Sequence, residues 1–392
     1  PLVCGSMAKY SILLFILAVL SLIALGITML ASTTFEVAQE GGEDYVTLWR
    51  QVGWLAVSLV VCVIMAVVDY NVWLRWRWHI LIAAAVLLAL CYAPMIGVKI
   101  NGSKRWIGLQ AFGVGGLRVQ PSEFAKIALI IALAGWFGVH EALTRTFWRG
   151  FVLPGLILLG VVALIGCEFD LGSALLASAV GLGVMFVAGT KMRYLAIIVV
   201  LCGGGLVAGV KFLPNRFDRI MVTFDLESHK EDLGLQQWVS KLAFGSGGTE
   251  GRGLGEGRMK LSYLPEAHTD FIFPMVGEEL GLRGTAAVVL AFAVLVMAGM
   301  VVSSYAPNRF GKLLGAGLTF LLGMEALLNM GVTTALLPNK GLPLPFVSYG
   351  GSSLVAAMVA VGILINIHRQ GVHLTWDQLP VIRRKRRWTP QL

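Results

Sequence analysis

The sequence predicts an all-α polytopic membrane protein with about ten transmembrane helices. Of its 392 residues, 57% are hydrophobic and only 14% are charged, and the mean hydropathy is +0.79. A soluble domain carries about 25% charged residues because its surface must face water. The apolar residues suffice for about ten helices of ~20 residues each. The composition therefore excludes a soluble domain, a disordered chain and a small disulfide-built module.

Ten apolar segments separated by polar connections define the predicted spans. They lie at residues 10–32, 52–68, 78–98, 123–138, 150–166, 171–189, 194–210, 285–304, 313–332 and 352–367. Several of these segments are short for a full crossing, so tilted or partly buried helices are expected. The 47 glycines agree with this prediction because small residues let membrane helices approach closely.

The distribution of basic residues predicts that both termini lie in the cytoplasm. Alternate connections are basic, the tail at 368–392 is strongly basic, and the first connection on the other side is acidic. Lys and Arg concentrate in the cytoplasmic loops of membrane proteins. The basic residues behind the net charge of +9 are therefore expected to set the orientation in the membrane and to contact lipid headgroups. No nucleic-acid partner is predicted. The basic connections contain Arg75, Arg77, Arg145, Arg149, Lys191, Arg193, Arg309 and Lys312.

The sequence predicts a single transmembrane domain over residues 7–392, in which one connection between spans is much longer than the others. Residues 1–6 precede a methionine, Met7, and look like a remnant of expression. The large extracytoplasmic loop at 211–270 is rich in aromatic residues. We expect it to be ordered, with a helix near 232–244 at the membrane interface.

The five cysteines form no CxxC or Cys/His cluster, so neither a zinc site nor a disulfide framework is indicated.

Polar residues near membrane depth are costly and mark candidate functional sites, and here they cluster on the outer side. In the first cluster, Ser122 can cap the helix that starts there, with Pro121 stiffening the entry. Glu123 and Lys126 lie three residues apart on one helix face, which fits either a local ion pair or a substrate-binding role. In the second cluster, Asp170 is placed to cap the next helix, and we favour that role over a catalytic one.

The glycine-rich segment at 245–257 can bring backbone amides close to an anion, or it can be a flexible link. It lacks the Walker spacing, so it is not a nucleotide-binding P-loop. The next segment carries Glu266, His268 and Asp270 directly before apolar sequence. Asp270 could act in catalysis or cap a helix, and three ligands at alternate positions are only a weak signal for a metal.

Two further segments complete the outer side. Glu279 and Arg283 are four residues apart in the order that favours an ion pair on a helix. Residues 338–345 hold three prolines and a glycine, which forbid a regular helix there. Unwound backbone at membrane depth is tolerated where it is buried in protein or lines a cavity. This segment is therefore predicted to form a wall of an outward-facing groove.

Seven motifs, in order along nearly the whole chain, resemble those of the SEDS family (shape, elongation, division and sporulation), the group of FtsW and RodA. They are NGSKRWI at 101–107, VQPSEFAK at 119–126, EFDLGSA at 168–174, GRGLGEG at 251–257, LPEAHTDFIF at 264–273, GEELG at 277–281 and LPNKGLPLPFVSYGGSS at 337–353. The fifth and the seventh are more similar to the division branch of the family than to the elongation branch. Their topological positions match as well, which argues against chance.

The resemblance implies a peptidoglycan glycosyltransferase that polymerises lipid II into glycan strands at the outer face of the bacterial cytoplasmic membrane. Such proteins act with a class B penicillin-binding protein and with other division proteins. The family's essential acidic residue falls on Asp270, and its QPSE-x-x-K carboxylate and ammonium fall on Glu123 and Lys126. Two departures are visible. Ser262 stands where the family often has a second acid, and Leu-Gln at 235–236 replaces a Tyr-Gln pair.

Polymerisation of such a substrate needs a base for the attacking sugar hydroxyl and cations for the departing diphosphate. We expect Asp270 to be the general base of a single inverting displacement, with the prenyl chain lying against apolar helices in the membrane lipid. The expected substrate-binding residues are Arg105, Glu123, Lys126, Arg216, Arg219, Lys260, Glu266, His268, Lys340, Ser348 and Ser352. A divalent cation, Mg²⁺ or Mn²⁺, could share the diphosphate charge, although the sequence does not require one.

Two other functions are compatible with the same sequence. A lipid II flippase would also have about ten spans, broken backbone and intramembrane charges. However, the polar residues gather on the outer side and not along a path through the membrane. A division scaffold without chemistry would leave the cluster at 266–270 without a purpose. We therefore favour the glycosyltransferase.

Overall fold

Long α-helices and one small sheet make up the part of the chain that the computed structural model describes, which is residues 2–39, 45–93, 97–100, 103–108, 118–212, 221–223, 225–259 and 269–385. The helices are α1 (Leu2–Gln39), α2 (Tyr45–Val67), α3 (Asn71–Leu90), α4 (Pro121–Val139), α5 (Leu153–Cys167), α6 (Leu171–Val187), α7 (Met192–Phe212), α8 (Leu235–Gly247), α9 (Ile272–Ser304), α10 (Arg309–Thr333) and α11 (Gly351–Lys385). A 3₁₀ turn at Glu141–Leu143 and a π-helical turn at Trp148–Val152 lead into α5.

The predicted fold class, an all-α polytopic membrane protein, is confirmed. Among the described residues, eight helices are long and apolar enough to cross a membrane, and two shorter apolar helices, Leu171–Val187 and Met192–Gly205, match the remaining predicted spans. One clear difference concerns α9, which begins at Ile272 and not at residue 285. Its first part contains charged residues that lower the local hydropathy, so a window of hydrophobicity detects only the second part.

The centre of the helix bundle is formed by α4, α10 and α11, most of whose membrane segments are buried. α2 lies along α11, and both α1 and α10 lie against α9. By contrast, only a small share of the residues of α2 and α3 is buried, as expected for apolar helices that face lipid. Polar side chains on the central helices are therefore enclosed by protein and need partners within it.

A three-stranded antiparallel sheet precedes α4 and was not predicted from the sequence. Its strands are β1 (Gly97–Ile100), β2 (Ser103–Gly108) and β3 (Arg118–Val119), in the spatial order β1-β2-β3. The strands are short and carry charged residues, so they show no alternating apolar pattern that would reveal them. The sheet presents Arg105 on its central strand and leads through β3 directly into α4.

At one end of the bundle, where α2 ends and α3 begins, polar side chains join the connections to each other. Asn366 of α11 accepts a hydrogen bond from the N–H of Tyr70 at 3.0 Å and donates one to the carbonyl of Ala66 at 2.8 Å. Asn308, before α10, donates to the side chain of Asn71 at 2.8 Å. The two Asn366 contacts satisfy backbone groups of the turn. The predicted site residues that fall within the described ranges lie at the opposite end.

Candidate functional site

The end of the bundle at which α4, α6, α9 and α11 begin is called the Asp270 end. Hydrogen bonds join its elements. The Ser352 hydroxyl, in α11, accepts from the N–H of Gln120 at 3.1 Å, and the Gln120 side chain donates to Asp170 at 3.2 Å. Asn329, near the end of α10, donates to the carbonyl of Asp270 at 2.8 Å. Polar residues from distant parts of the chain therefore meet at this end.

Asp270 lies in a turn that precedes α9, and it is partly exposed. The N-cap position of α9 is Phe271, so Asp270 is not the N-cap residue of this helix. Asn329 donates to the carbonyl oxygens of both Asp270 and Leu342, at 2.8 and 2.6 Å. One buried amide thus fixes the turn that carries Asp270 against the segment at 338–345.

Residues 338–345 are irregular, as their prolines predict. The Ser348 hydroxyl accepts a hydrogen bond from the N–H of Leu344 at 2.8 Å, and the N–H of Ser348 donates to the Leu344 carbonyl at 3.0 Å. Leu342 and Leu344 are buried, whereas Lys340 is partly exposed. The unwound backbone is therefore packed in protein beside Asp270, and a serine expected to bind substrate holds its end.

Helix α8 matches the helix predicted in the long outer connection, over Leu235–Gly247 in place of 232–244. It packs against α9 and α10. The buried side chain of Gln237 donates to the carbonyls of Val332 and Leu337, at 2.9 and 2.8 Å. Val332 belongs to the last turn of α10, where carbonyls lack α-helical donors, and Leu337 lies just beyond the helix. The buried face of α8 therefore completes the end of α10, a partner that the sequence alone did not indicate.

The glycine-rich segment folds onto two buried carboxylates at the start of α9, an arrangement we call the glycine clamp (residues 245–259 on Glu278 and Glu279). Glu278 accepts hydrogen bonds from the N–H groups of residues 258 and 259 at 2.9 and 3.1 Å. Glu279 accepts one from the N–H of Gly255 at 3.1 Å, and both carboxylates are at most 1% exposed. These amides bind the protein's own carboxylates. The segment is therefore neither a flexible link nor an open anion-binding loop.

Gly281 breaks α9 next to the glycine clamp. Its φ of 67° lies in the left-handed region, which glycine adopts without strain, and a side chain there would collide with the backbone of Gly251. Beyond the break, Arg283 pairs with Glu250 at 2.8 Å. The predicted ion pair between Glu279 and Arg283 is therefore wrong, because no continuous helical turn joins the two positions.

We expect Glu278→Ala to lower the thermal unfolding midpoint of the detergent-solubilised protein. The change leaves two backbone N–H groups of the glycine clamp without their acceptor. Both groups are only partly buried, so the cost of about 1–3 kcal/mol for each fully buried donor is an upper bound. Glu250→Ala is the matched control, because its ion pair with Arg283 lies in the same region but is exposed and contributes about 0–1 kcal/mol. Equal midpoints for the two variants would show that the clamp does not hold this loop.

A buried charged cluster links α4 to α10. The Lys126 ammonium lies 2.9 and 3.0 Å from the carboxylate oxygens of Glu123 and also contacts Glu325. All three side chains are at most 5% exposed. The local ion pair considered for Glu123 and Lys126 is present, and Glu325 is an additional partner. Because two carboxylates enclose the ammonium, this geometry does not support direct contact between Lys126 and a diphosphate.

Asp170 caps α6, as predicted. Its carboxylate accepts hydrogen bonds from the N–H of Ser173 at 3.1 Å and from the hydroxyl of the same residue at 2.9 Å. The guanidinium of Arg105, on β2, lies 3.7 Å from this carboxylate and is partly exposed. Arg105 therefore faces an acid of the protein while part of its side chain remains accessible.

The predicted cap of α4 by Ser122 is wrong. The helix begins at Pro121, so Ser122 already lies within the first turn, and Gln120 occupies the N-cap position. The Ser352 hydroxyl accepts from the N–H of Gln120 and lies 3.5 Å from the carbonyl of Arg118. Ser352, expected to bind substrate, thus joins the start of α11 to the backbone that enters α4.

Glu168 is a buried acid close to the ion pair between Arg105 and Asp170. It is 1% exposed, and neither carboxyl oxygen has a nitrogen or oxygen hydrogen-bond donor in the described part of the chain. Burial raises the pKa of Glu168 to about 8; the Asp170 carboxylate adds to the rise, whereas the Cys91 thiol and the Arg105 guanidinium oppose it. Glu168 is therefore mostly protonated at neutral pH.

Some predicted site residues lie outside the described residues, namely Arg216, Arg219, Lys260, Glu266 and His268. Of the predicted cations within the described ranges, Arg105 and Lys340 are partly exposed and Lys126 is buried. Among the described side chains, no group of three or more His, Cys, Asp or Glu could hold a metal ion.

Comparisons with known proteins agree over most of the chain. A family model described as a cell cycle protein, FTSW_RODA_SPOVE, matches residues 12–373. A protein of Trichlorobacter lovleyi named "Probable peptidoglycan glycosyltransferase FtsW" is 39% identical over 368 residues, which cover 92% of this chain and 93% of that protein. A protein of Hahella chejuensis with the same name is 36% identical over 373 residues, 93% of this chain and 92% of that one.

Two solved structures are also similar. One is described as "Structural coordination of polymerization and crosslinking by a peptidoglycan synthase complex"; it has a TM-score of 0.75 and 27% identity, and the match covers 91% of this chain and 97% of that chain. The other is the Rod shape determining protein RodA of Thermus thermophilus, with a TM-score of 0.66 and 27% identity over 91% of this chain and 96% of that one.

Proposed function

The chain belongs to the family of FtsW, RodA and SpoVE, and we propose that it polymerises lipid II into glycan strands at the outer face of the bacterial cytoplasmic membrane during cell division. It is an FtsW-like peptidoglycan glycosyltransferase, the enzyme class of its curated relatives. The observation that carries the proposal is the position of Asp270, a partly exposed acid in a turn held at the end of the bundle where distant polar segments meet.

We propose Asp270 as the general base. The hydroxyl of the acceptor sugar attacks the anomeric carbon of the donor, its proton passes to the Asp270 carboxylate, and the bond to the diphosphate breaks. General-base assistance of this kind contributes about 10²–10⁴-fold. A single in-line displacement converts an α-linked donor into a β-linked strand without a covalent enzyme intermediate. The hydrogen bond from Asn329 to the Asp270 carbonyl supports this role because it orders the turn without using the carboxylate.

The departing diphosphate requires nearby positive charge or hydrogen-bond donors. The partial exposure of Arg105 and Lys340 at the Asp270 end supports both as candidates. We also propose Arg216, Arg219 and Lys260 as cations for the diphosphate, and Glu266 and His268, which precede Asp270, as contacts for the sugars. The prenyl chains of donor and acceptor lie against the apolar helices that face lipid.

Other predicted substrate-binding residues are better explained by contacts within the protein. The charged groups of Glu123 and Lys126 are buried against each other and against Glu325. The hydroxyls of Ser348 and Ser352 are occupied by backbone groups. We therefore propose that these four residues hold the walls of the site and do not contact the sugar or the diphosphate.

A class B penicillin-binding protein is the proposed partner. One of the similar solved structures comes from a complex described as coordinating polymerization with crosslinking, which supports a partner that crosslinks the new strands. Assays of the chain alone and together with such a partner will show how far polymerisation depends on it.

Fluorescent lipid II separates this function from transport and from a scaffold role. The purified wild-type protein, alone and with its partner, is incubated with the probe in detergent and in liposomes. We expect glycan polymer, visible as a ladder on a gel. Translocation of the headgroup across liposomes without polymer would establish a flippase. Partner recruitment with neither activity would establish a scaffold, and either result would contradict the proposal.

A further inference from the structure

The Asp270 side chain is approached very closely by the backbone at Gly341. Gly341 is the middle residue of a tight turn in which the N–H of Leu342 donates to the carbonyl of Lys340 at 3.0 Å. A Cβ atom placed on Gly341 would collide with Oδ2 of Asp270 and lie 3.4 Å from its Cγ. Within the described residues, and apart from the chain neighbours of Gly341, no other heavy atom comes within 4 Å of that position.

This restriction on a side chain is specific to the carboxylate. The φ of Gly341 is not in the left-handed region, so the backbone itself accepts an L-residue. Gly350, directly before α11, would place a Cβ 3.7 Å from Ser353, which is ordinary van der Waals contact. Among the described residues, a methyl group at residue 341 would therefore meet only Asp270, whereas one at residue 350 would make only an ordinary contact with Ser353.

Asn329 holds the two contacting segments at a fixed separation. Its side chain is 1% exposed and donates to the carbonyl of Asp270 at 2.8 Å and to that of Leu342, the neighbour of Gly341, at 2.6 Å. Both turns are thus attached to the same side chain of α10. The carboxylate cannot be displaced by a shift of one turn without breaking one of these hydrogen bonds.

We propose that Gly341 is a positioning residue for the reaction assigned to Asp270. Because Gly341 has no side chain, its Cα leaves room for the Asp270 carboxylate, and Asn329 holds the two turns at a fixed separation. The inference rests on the proposed function. A side chain at residue 341 pushes the carboxylate away from the acceptor hydroxyl. A misplacement of ~1 Å between reacting groups costs about 10²-fold in rate, while lipid II binding, which other residues provide, is maintained.

Gly341→Ala tests this inference, with Gly350→Ala as the matched control. We expect kcat for lipid II polymerisation to fall about 10²-fold in Gly341→Ala, with KM close to wild type, and to be unchanged in Gly350→Ala. A wild-type kcat for Gly341→Ala overturns the inference, and the proposed function then stands if Asp270→Asn is inactive. Absence of polymer from the wild type overturns both.

A second background separates a clash with the carboxylate from general damage to the fold. Asp270→Ala removes Oδ2, so adding Gly341→Ala to it should leave the thermal midpoint unchanged. The inference is supported if Gly341→Ala lowers the thermal midpoint of the protein that has Asp270 but not that of the Asp270→Ala variant. A fall of similar size in both backgrounds overturns it, because the methyl group would then disturb something other than the carboxylate.

Discussion

Lys126→Ala is expected to remove most of the folded protein. Its ammonium is the shared partner of Glu123 and Glu325, and all three groups are buried between α4 and α10. Removing one member of a buried ion pair leaves an uncompensated charge and costs about 3–5 kcal/mol, against a total stability of about 5–15 kcal/mol for a typical protein. The folded yield on size-exclusion chromatography and the thermal midpoint in detergent measure this loss.

Two controls show whether charge is the cause. Lys312→Ala removes an exposed lysine at the start of α10 and should leave the midpoint unchanged. Lys126→Met combined with Glu123→Gln and Glu325→Gln removes all three charges, and it should recover much of the folded yield, because uncharged replacements of buried ion pairs are tolerated. A normal yield and midpoint for Lys126→Ala, with polymerisation lost, would instead return Lys126 to the substrate-binding role expected from the sequence.

The features that could be predicted from the sequence depend on residues close together in the chain. Apolar windows locate the membrane helices because each span is one continuous segment. Asp170 caps α6 because a cap residue and the N–H group that donates to it lie within one turn. Glu123 and Lys126 were recognised as a pair because they are three residues apart on a helix. The prolines in 338–345 exclude a regular helix there, whatever tertiary contacts the segment makes.

The features that could not be predicted depend on contacts between distant segments. Glu325 is visible as an acid within an apolar helix, which signals a partner, but its partner Lys126 lies 199 residues away. The amides of the glycine-rich segment suggested an external anion, whereas their acceptors are Glu278 and Glu279. The ion pair expected between Glu279 and Arg283 does not form, because a spacing of four residues predicts a contact only on a continuous helix and Gly281 interrupts this one.

Asp270→Asn is expected to abolish measurable polymerisation and to leave the protein folded. The asparagine has nearly the same shape but cannot take up the proton of the acceptor hydroxyl, so the rate should fall by about 10²–10⁴-fold, or about 3–5 kcal/mol of transition-state stabilisation. The fold should survive because Asn329 binds the backbone carbonyl of Asp270 and not its carboxylate. Asp225→Asn, which changes an exposed acid of the long connection between α7 and α9, is the matched control.

The initial rate of polymer formation from fluorescent lipid II, with each variant bound to the same penicillin-binding protein and matched for folded protein, tests the role of Asp270 most directly. We expect polymer from the wild type and from Asp225→Asn, and none above background from Asp270→Asn. A wild-type rate from folded Asp270→Asn would contradict the assignment of this carboxylate as the base of the reaction.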